Sequence, residues 1–597
     1  MPQTLKLPIL GNEVSGRSRA VTAQKRQNIY VEIDSDADKG SVVAYGTPGL
    51  ASFTTVGASP IRGMWWYQQE NVIIAVTGKY VVEVFPDGSI NEIGQLTTDE
   101  GSVSIADNGA QVMIVDGVKG YIYQYTTPDL PYSRASTTVT VTEILHTRVT
   151  GQVVKISGDA NVASGNYTIT VPNTAATALV TGTQYVIASL GTSDFTLVGA
   201  PLNQVGIVFT ATGTTTGTGT ANSANTWQIT TVASGSATGT LQVRDNFRDI
   251  STAYTGVDFP VANTVVFIDS YFVINVEDTK QFWLSAPYDG FYWDPLQYAS
   301  KEAYTDDLSA VAVDNGNLVL LGFVSQEYWQ NTGGFPFPFQ RIAGSPTDVG
   351  LLARFSVSRC AGQLFYLAKT RRGGISVVRN QNYQPIPVST PDMDFLFLNY
   401  TNPGDAVAFS YRINGHDFYQ ISFQQDAKTW LYDATTNLWS ELVSYGTTRS
   451  YGNRATQLSN QLMVADYRNG NIYKLDNDTY TDNGQPIIRE LITPHFFKGD
   501  SYNKLHIYRL RLDMEQGVGT AGGQGQNPQV MLQVSRDGGF TWGNEMWTSF
   551  GAQGDFLRRA EWRRLGVSRN YVFKFRISDP VKVVLIGAAA YATEAMK

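Results

Sequence analysis

The sequence predicts an all-β protein: a β-propeller of six or seven blades, carrying a small inserted β domain and followed by a C-terminal β-sandwich. Three observations carry this prediction. The first is a hairpin phrase (apolar run, tight turn, apolar run) that returns seven times, starting at Asn71, Gln111, Tyr271, Asn317, Gly362, His416 and Asn460. The intervals are 40, 160, 46, 45, 54 and 44 residues. Removing a compositionally foreign stretch of roughly 110 residues brings the long interval to about 50, within the period of about 40–50 residues of propeller blades. A unit of that size cannot bury both faces of its own sheet, whereas radial stacking with its neighbours does so. The second observation is composition. Of 597 residues, 42% are hydrophobic and 16% charged, against roughly 25% charged in an average domain. There are 32 Tyr, 28 Phe, 11 Trp and 56 Gly, which suit half-buried pleated faces joined by tight turns. The third is a change of pattern near residue 481, after which the strands lengthen and alternate cleanly.

Taken in order, residues 1–60 read as an extended arm with first strands, punctuated by Pro2, Pro8 and Gly11, with one clear strand from Arg26 and a turn at Thr47-Pro-Gly. Residues 61–136 hold the first part of the propeller. In Val84-Phe-Pro-Asp-Gly-Ser-Ile, Asp-Gly supplies the positive φ that a hairpin turn needs. Residues 137–246 are the foreign stretch, rich in Thr, Gly, Ala, Ser and Val with a single tryptophan, Trp227, and read as an inserted β domain. The propeller resumes over 247–480. Residues 481–597, with Lys504-Leu-His-Ile-Tyr-Arg-Leu and Tyr571-Val-Phe-Lys-Phe-Arg-Ile, read as a sandwich with one wet face. Helix candidates are few and short.

Lys plus Arg is 44 and Asp plus Glu is 52, a net charge of −8, which argues against a sequence-reading DNA binder. One cysteine, Cys360, allows no intramolecular disulfide and reads as a buried apolar thiol. The N-terminus lacks the pattern of a signal peptide, and no window approaches 18 uninterrupted apolar residues, so no membrane anchor is expected.

The four histidines, His146, His416, His495 and His506, show no metal-ligand spacing, and neither a GxSxG elbow nor a P-loop occurs. No catalytic residue, cofactor or metal is assigned, and no enzyme activity is expected. The sharpest motif is Ser535-Arg-Asp537-Gly-Gly539-Phe-Thr541-Trp542, which resembles the Asp-box of sialidases and related propellers at every fixed position. That resemblance implies a structural hairpin, since the sialidase set of arginines, tyrosine and acids is not found alongside it. Candidate interface residues are of two kinds. Phe335, Phe337 and Phe339 are separated by prolines, which donate no ladder hydrogen bond, so these rings are expected to cap a blade or be covered by another chain. Arg371 and Arg372 (after Lys369), with Arg558, Arg559, Arg563 and Arg564 around Trp562, form basic clusters that suit a rim contact.

Several distributed stretches resemble the packaged-DNA stabilisation proteins of short-tailed bacteriophages, also called tail hub or nozzle proteins. They are Asp269-Ser-Tyr-Phe-Val-Ile-Asn-Val, Phe282-Trp-Leu-Ser, Trp293-Asp-Pro-Leu, Ser325-Gln-Glu-Tyr-Trp, Gly350-Leu-Leu-Ala-Arg354, Gln384-Pro-Ile-Pro, Trp430-Leu-Tyr-Asp, Trp439-Ser, His495-Phe-Phe-Lys498 and Trp562-Arg-Arg-Leu-Gly566. The resemblance covers roughly 1–135 and 247–597. A YxV…TxxFxLxG phrase in the insert, from Tyr185, is similar to small β modules inserted in phage tail proteins. The resemblance implies a virion tail protein, made in the host cytoplasm, that forms a homo-hexameric ring below the portal and its adaptor. Such a ring extends the DNA channel, retains packaged DNA and docks a needle or plug and tail fibres or spikes. Double-stranded DNA passes its lumen without sequence recognition. The alternatives are a host receptor- or glycan-binding tail protein and, less favoured, a glycan-cleaving propeller that uses the Asp-box scaffold.

Overall fold

In the computed structural model, the described residues are 3–9, 11, 18–33, 42–124, 130–143, 146, 148, 150–151, 153–157, 159–244, 246–250, 259–497 and 503–594. Seven antiparallel sheets, each taking one of the seven repeated hairpins as its second and third strands, form a closed propeller. Blade 1 spans Ile61–Tyr67 to Ile90–Gln95, blade 3 Val265–Ile268 to Asp289–Ser300 and blade 4 Leu308–Asp314 to Phe339–Arg341. Blade 5 runs from Val349–Leu351 to Gln384–Pro387 and blade 6 from Val407–Ile413 to Leu438–Glu441.

The repeated strands are apolar without alternation because both of their faces are covered. In Val72–Thr77 every residue is buried. Ile73 and Ala75 pack toward blade 7, while Ile74 and Val76 pack toward blade 2. The same division recurs around the ring, giving one apolar core between each pair of adjacent blades. Period-two geometry therefore assigns successive side chains to successive interblade cores.

Ring closure uses the N-terminus. Blade 7 consists of Gly452–Leu458, Gln461–Asp466, Asn471–Asp476 and, as its outer strand, Gly49–Thr55. Its inner strand packs on the inner strand of blade 1. A hairpin of Thr481–Asp482 and Gln485–Pro486 extends the same sheet beyond the expected boundary at 480. Asp482 is buried there and accepts a 2.7 Å hydrogen bond from Ser444 Oγ. Burial pushes its carboxyl up to about 6, against the opposing pull of Ser444 and Arg489. A folded-state value above the unfolded one means the folded chain holds the proton more tightly. The resulting stability is complete below about pH 4 and is lost as pH rises through about 6. Asp482→Asn should flatten that segment of the stability–pH curve and stabilise the protein at pH 7 by roughly 2–3 kcal/mol. Denaturant titrations at pH 4, 5, 6 and 7 test this; parallel curves for the two proteins contradict it.

The first 60 residues are not a separate arm. Gln3–Leu7, Ile29–Ile33 and Val42–Gly46 belong to one sheet of the C-terminal sandwich, with Val584–Glu594, Leu505–Met514 and Ala560–Ser568. Leu7, Ile9, Ile29 and Ala44 lie in the sandwich core. Lys25–Gln27 joins the other sandwich sheet to Leu438–Glu441 of blade 6, so one nine-stranded sheet runs from propeller to sandwich. Residues 1–2, 10, 12–17 and 34–41 of this segment lie outside the described residues.

The insert interrupts blade 2. That blade comprises Ser104–Asp107, Gln111–Val115, Gly120–Gln124 and, after the insert, Asn246–Asp249. The insert's strands run from Leu130 to Arg244, starting earlier than the expected residue 137 because Leu130–Thr142 pairs along its length with Thr226–Arg244. Two four-stranded sheets result, each with its own core: one around Trp227 and Val139, the other around Phe195, Tyr185 and Phe209. Glu143 ties the module to blade 2, accepting 2.6 Å hydrogen bonds from Arg148 and from Arg248. Gln124 and Asn246 are direct cross-strand partners. Replacing 125–245 by an Asn-Gly turn should therefore leave a folded seven-bladed protein whose melting temperature, read by circular dichroism, stays within several degrees. Loss of the cooperative transition contradicts this.

Candidate interaction surfaces

The four histidines make structural contacts. His416 Nδ1 lies 2.7 Å from Asp433 Oδ2, and its ring meets Tyr30 edge-on at 5.2 Å, packing blade 6 against the strand Ile29–Ile33. The hydrogen bond to Asp433 raises its pKa, with burial opposing. His146 Nε2 contacts the Thr226 carbonyl at 2.9 Å, His495 bridges Asn570 and the Arg19 carbonyl, and His506 packs on Tyr508 at 4.2 Å. Cys360 is buried and free, and burial pushes its thiol up to about 12. Among the described residues no group of three or more His, Cys, Asp or Glu side chains could hold a metal ion. No described helix is long and apolar enough to cross a membrane.

The Asp-box closes the hairpin between Gln529–Ser535 and Met546–Ser549 of the sandwich, not a propeller blade. Ser535 Oγ donates to Asp537 Oδ1 at 2.7 Å and accepts from the Gly539 amide at 2.8 Å. Asp537 also takes the amides of Phe540 and Thr541 at 3.0 and 2.9 Å and the Thr541 hydroxyl at 2.5 Å. Those bonds, led by the Thr541 hydroxyl, lower its carboxyl to about 2. Gly538 and Gly539 have φ of 78° and 95°, which an L side chain resists. Trp542 is half-buried under the Lys574 ammonium, 4.4 Å from the ring centroid. The motif spends its polar groups on its own turn.

The three phenylalanines separate. Phe339 lies in the outer strand of blade 4, is 4% exposed and packs in the core between blades 3 and 4, where Phe337 meets Phe282 at 5.6 Å. The expectation that all three need a cap or a second chain is thus corrected: Pro338 precedes an edge strand, where a missing N–H costs no ladder bond. Phe335 alone remains outside, 98% exposed, beside a cleft of about 550 Å³ lined by Tyr271, Tyr292, Asp294, Gln297 and Asn331. Gln297 Nε2 donates to the Pro336 carbonyl at 3.0 Å and fixes the loop.

Sequence reasoning missed an exposed apolar strand, of which Tyr292 lies beside Phe335. Tyr292, Leu296 and Tyr298 are exposed on the outer strand Asp289–Ser300 of blade 3. Their even spacing does not put all three on one face, because the register shifts between Trp293 and Tyr298 and breaks the alternation. Arg371 and Arg372 are exposed on the turn between two strands of blade 5, and Arg558, Arg559, Arg563 and Arg564 are exposed on the sandwich. The structure does not bring the two basic clusters together, since they lie on different domains. Directly before Arg558, Phe556 and Leu557 are 70% and 91% exposed, so the sandwich cluster is apolar as well as basic. Lys498 lies outside the described residues.

Residues 161–480 match a family model described as bacteriophage P22 Gp10, beta-propeller, and residues 488–593 match one described as bacteriophage P22 Gp10, beta-sandwich. The first match begins within the insert, so it includes residues that composition marked as foreign and omits blade 1. No curated protein matches the chain. Among solved structures, the computationally designed Ika8 protein aligns at 9% identity over 71% of this chain and 100% of its own, with a TM-score of 0.31. The WD40 propeller domain of Doa1 aligns at 7% over 72% and 97%, with a TM-score of 0.29. The gluconolactonase XC5397 of Xanthomonas campestris aligns at 8% over 79% and 98%, with a TM-score of 0.27. At such scores the fold rests on the chain's own sheets.

Proposed function

We propose, from the premise that the chain belongs to the bacteriophage P22 Gp10 family and is a structural protein of the phage tail, that it forms the nozzle ring of a short tail. The ring sits below the portal and its adaptor, extends the DNA channel, retains the packaged genome, and docks the needle or plug and the fibres or spikes. The observation that carries this reading is the pair of consecutive family matches, which together span the later blades and the sandwich. The mechanism is geometric. Interdigitated blades and a sandwich stitched to blade 6 make a stiff subunit, and its exposed groups supply the contacts. Phe335 with Tyr292 offers apolar area, and Leu557 with Arg558 and Arg559 offers apolar area beside positive charge. A ring of identical copies needs heterologous interfaces whose rotation closes.

Native mass spectrometry and negative-stain microscopy of the purified chain, alone and with the adaptor protein, test this reading. The expected result is a closed six-copy ring that Phe335→Asp weakens. Open helical filaments, or a monomer that the adaptor leaves unchanged, contradict it. The insert supports a second reading for one part of the chain. A two-sheet module with its own cores, leaving from between the third and fourth strands of blade 2, is suited to touching the host surface. Particles carrying the 125–245 replacement should then keep their tails and lose adsorption.

A further inference from the structure

The inner strands of all seven blades line an axial cavity of about 460 Å³. Its lining contains three arginines, Arg354, Arg359 and Arg454, and no Asp or Glu, in a chain whose net charge is −8. Arg354 is compensated: its Nη2 contacts Glu277 Oε2 at 2.9 Å, and its Nε donates to the Ser309 carbonyl. Trp65, which also lines the cavity, donates through Nε1 to Asp107 at 2.6 Å.

Arg454 lacks such a partner. It starts on the inner strand of blade 7, donates through Nη2 to Ser102 Oγ at 2.6 Å beside blade 2, and lies 5.4 Å from the Phe355 ring next to blade 5. The side chain thus crosses the axis. Its Nε is buried without a hydrogen-bond partner. Burial lowers its pKa to about 10, and no acid opposes that shift. Arg359 is exposed at the same cavity. Burial raises the pKa of Asp314 and Arg359 pulls it down; Asp314 Oδ2 accepts from the Tyr328 hydroxyl at 2.9 Å, and its Oδ1 is buried without a hydrogen-bond partner. The Ser358 and Ser410 hydroxyls, 2.8 Å apart, line the wall nearby. A buried cation without a counter-charge is costly, and a guanidinium fork matches a tetrahedral oxyanion.

We propose that the axial cavity is a binding site for a small, multiply charged oxyanion of the phosphate class, held by Arg454 and Arg359 across the propeller axis. The anion supplies the charge that the lining lacks and ties blade 7 to blade 5 through its two arginines.

Isothermal titration of the full chain with inorganic phosphate, against sodium chloride at matched ionic strength, tests this. The expected result is one phosphate per chain, with affinity at least tenfold weaker in Arg359→Gln, lost in Arg454→Met and unchanged in Arg569→Gln, an exposed arginine of the sandwich. Sulfate should compete. Should Arg454→Met not fold, Arg359→Gln decides alone. Heat equal to the chloride control, or the same loss in Arg569→Gln as in Arg359→Gln, overturns the proposal.

Discussion

A chain that begins at Ser59 is expected to be insoluble, and co-expressing residues 1–58 as a separate piece is expected to restore a soluble, folded complex. Three structural roles converge on that segment. Gly49–Thr55 is the outer strand of blade 7, so its removal leaves Asn471–Asp476 as an exposed edge. Gln3–Leu7 and Val42–Gly46 cover the two ends of Val584–Glu594. Leu7, Ile9 and Ile29 fill the sandwich core, and Leu50 fills the core between blades 6 and 7. Full burial of such side chains contributes about 1.5–3 kcal/mol each. Four of them approach the whole stability of an ordinary domain, about 5–15 kcal/mol. Unpaired strand edges also promote aggregation. The break between Ala58 and Ser59 falls in an exposed turn, so the two pieces can pair without strain there. Soluble, cooperatively melting protein from the shortened chain alone contradicts the account.

Trp439→Ala should cost about 3–5 kcal/mol, the range for truncating a buried tryptophan. Trp439 is 1% exposed and stands 4.9 Å from Tyr432 in the core between blades 5 and 6. Its Nε1 donates to the Val388 carbonyl at 3.0 Å. Its own carbonyl accepts from Arg26 Nε and Nη2 at 3.1 and 2.9 Å. The residue therefore anchors the blade and receives the strand that stitches the propeller to the sandwich. Trp439→Phe keeps most of the packing but leaves the Val388 carbonyl without its donor, which costs about 1–3 kcal/mol. Calorimetry should rank wild type above the phenylalanine variant and that above the alanine variant. Equal transition temperatures for wild type and Trp439→Ala contradict the assignment.

The sequence revealed what local pattern encodes. Each repeated hairpin became the second and third strands of a blade, because strands covered on both faces must be apolar throughout, as in Val72–Thr77 and Gln111–Val115. The interval of 160 residues marked the insert. Pairings between residues hundreds of positions apart had no local trace. Gly-Leu-Ala-Ser-Phe-Thr-Thr, the closing strand, alternates weakly, and its partner lies more than 400 residues away. Asn-Phe-Arg-Asp, the last strand of blade 2, carries no apolar run at all. Among the surface residues, the exposure of Phe335 and of the arginines was legible from proline spacing and charge. The packing of Phe337 and the burial of Phe339 were not, because they depend on Phe282 of the neighbouring blade. Arg454 escaped notice for the same reason: one arginine in Gly452–Leu458 resembles a solvated residue until seven blades close around it.

The most direct measurement is electron microscopy of particles assembled without this protein, scored for DNA retained in the head and for tail length. The nozzle account predicts heads that fill and then empty, bearing tails that stop below the adaptor. Stable DNA-filled particles with complete tails would contradict it.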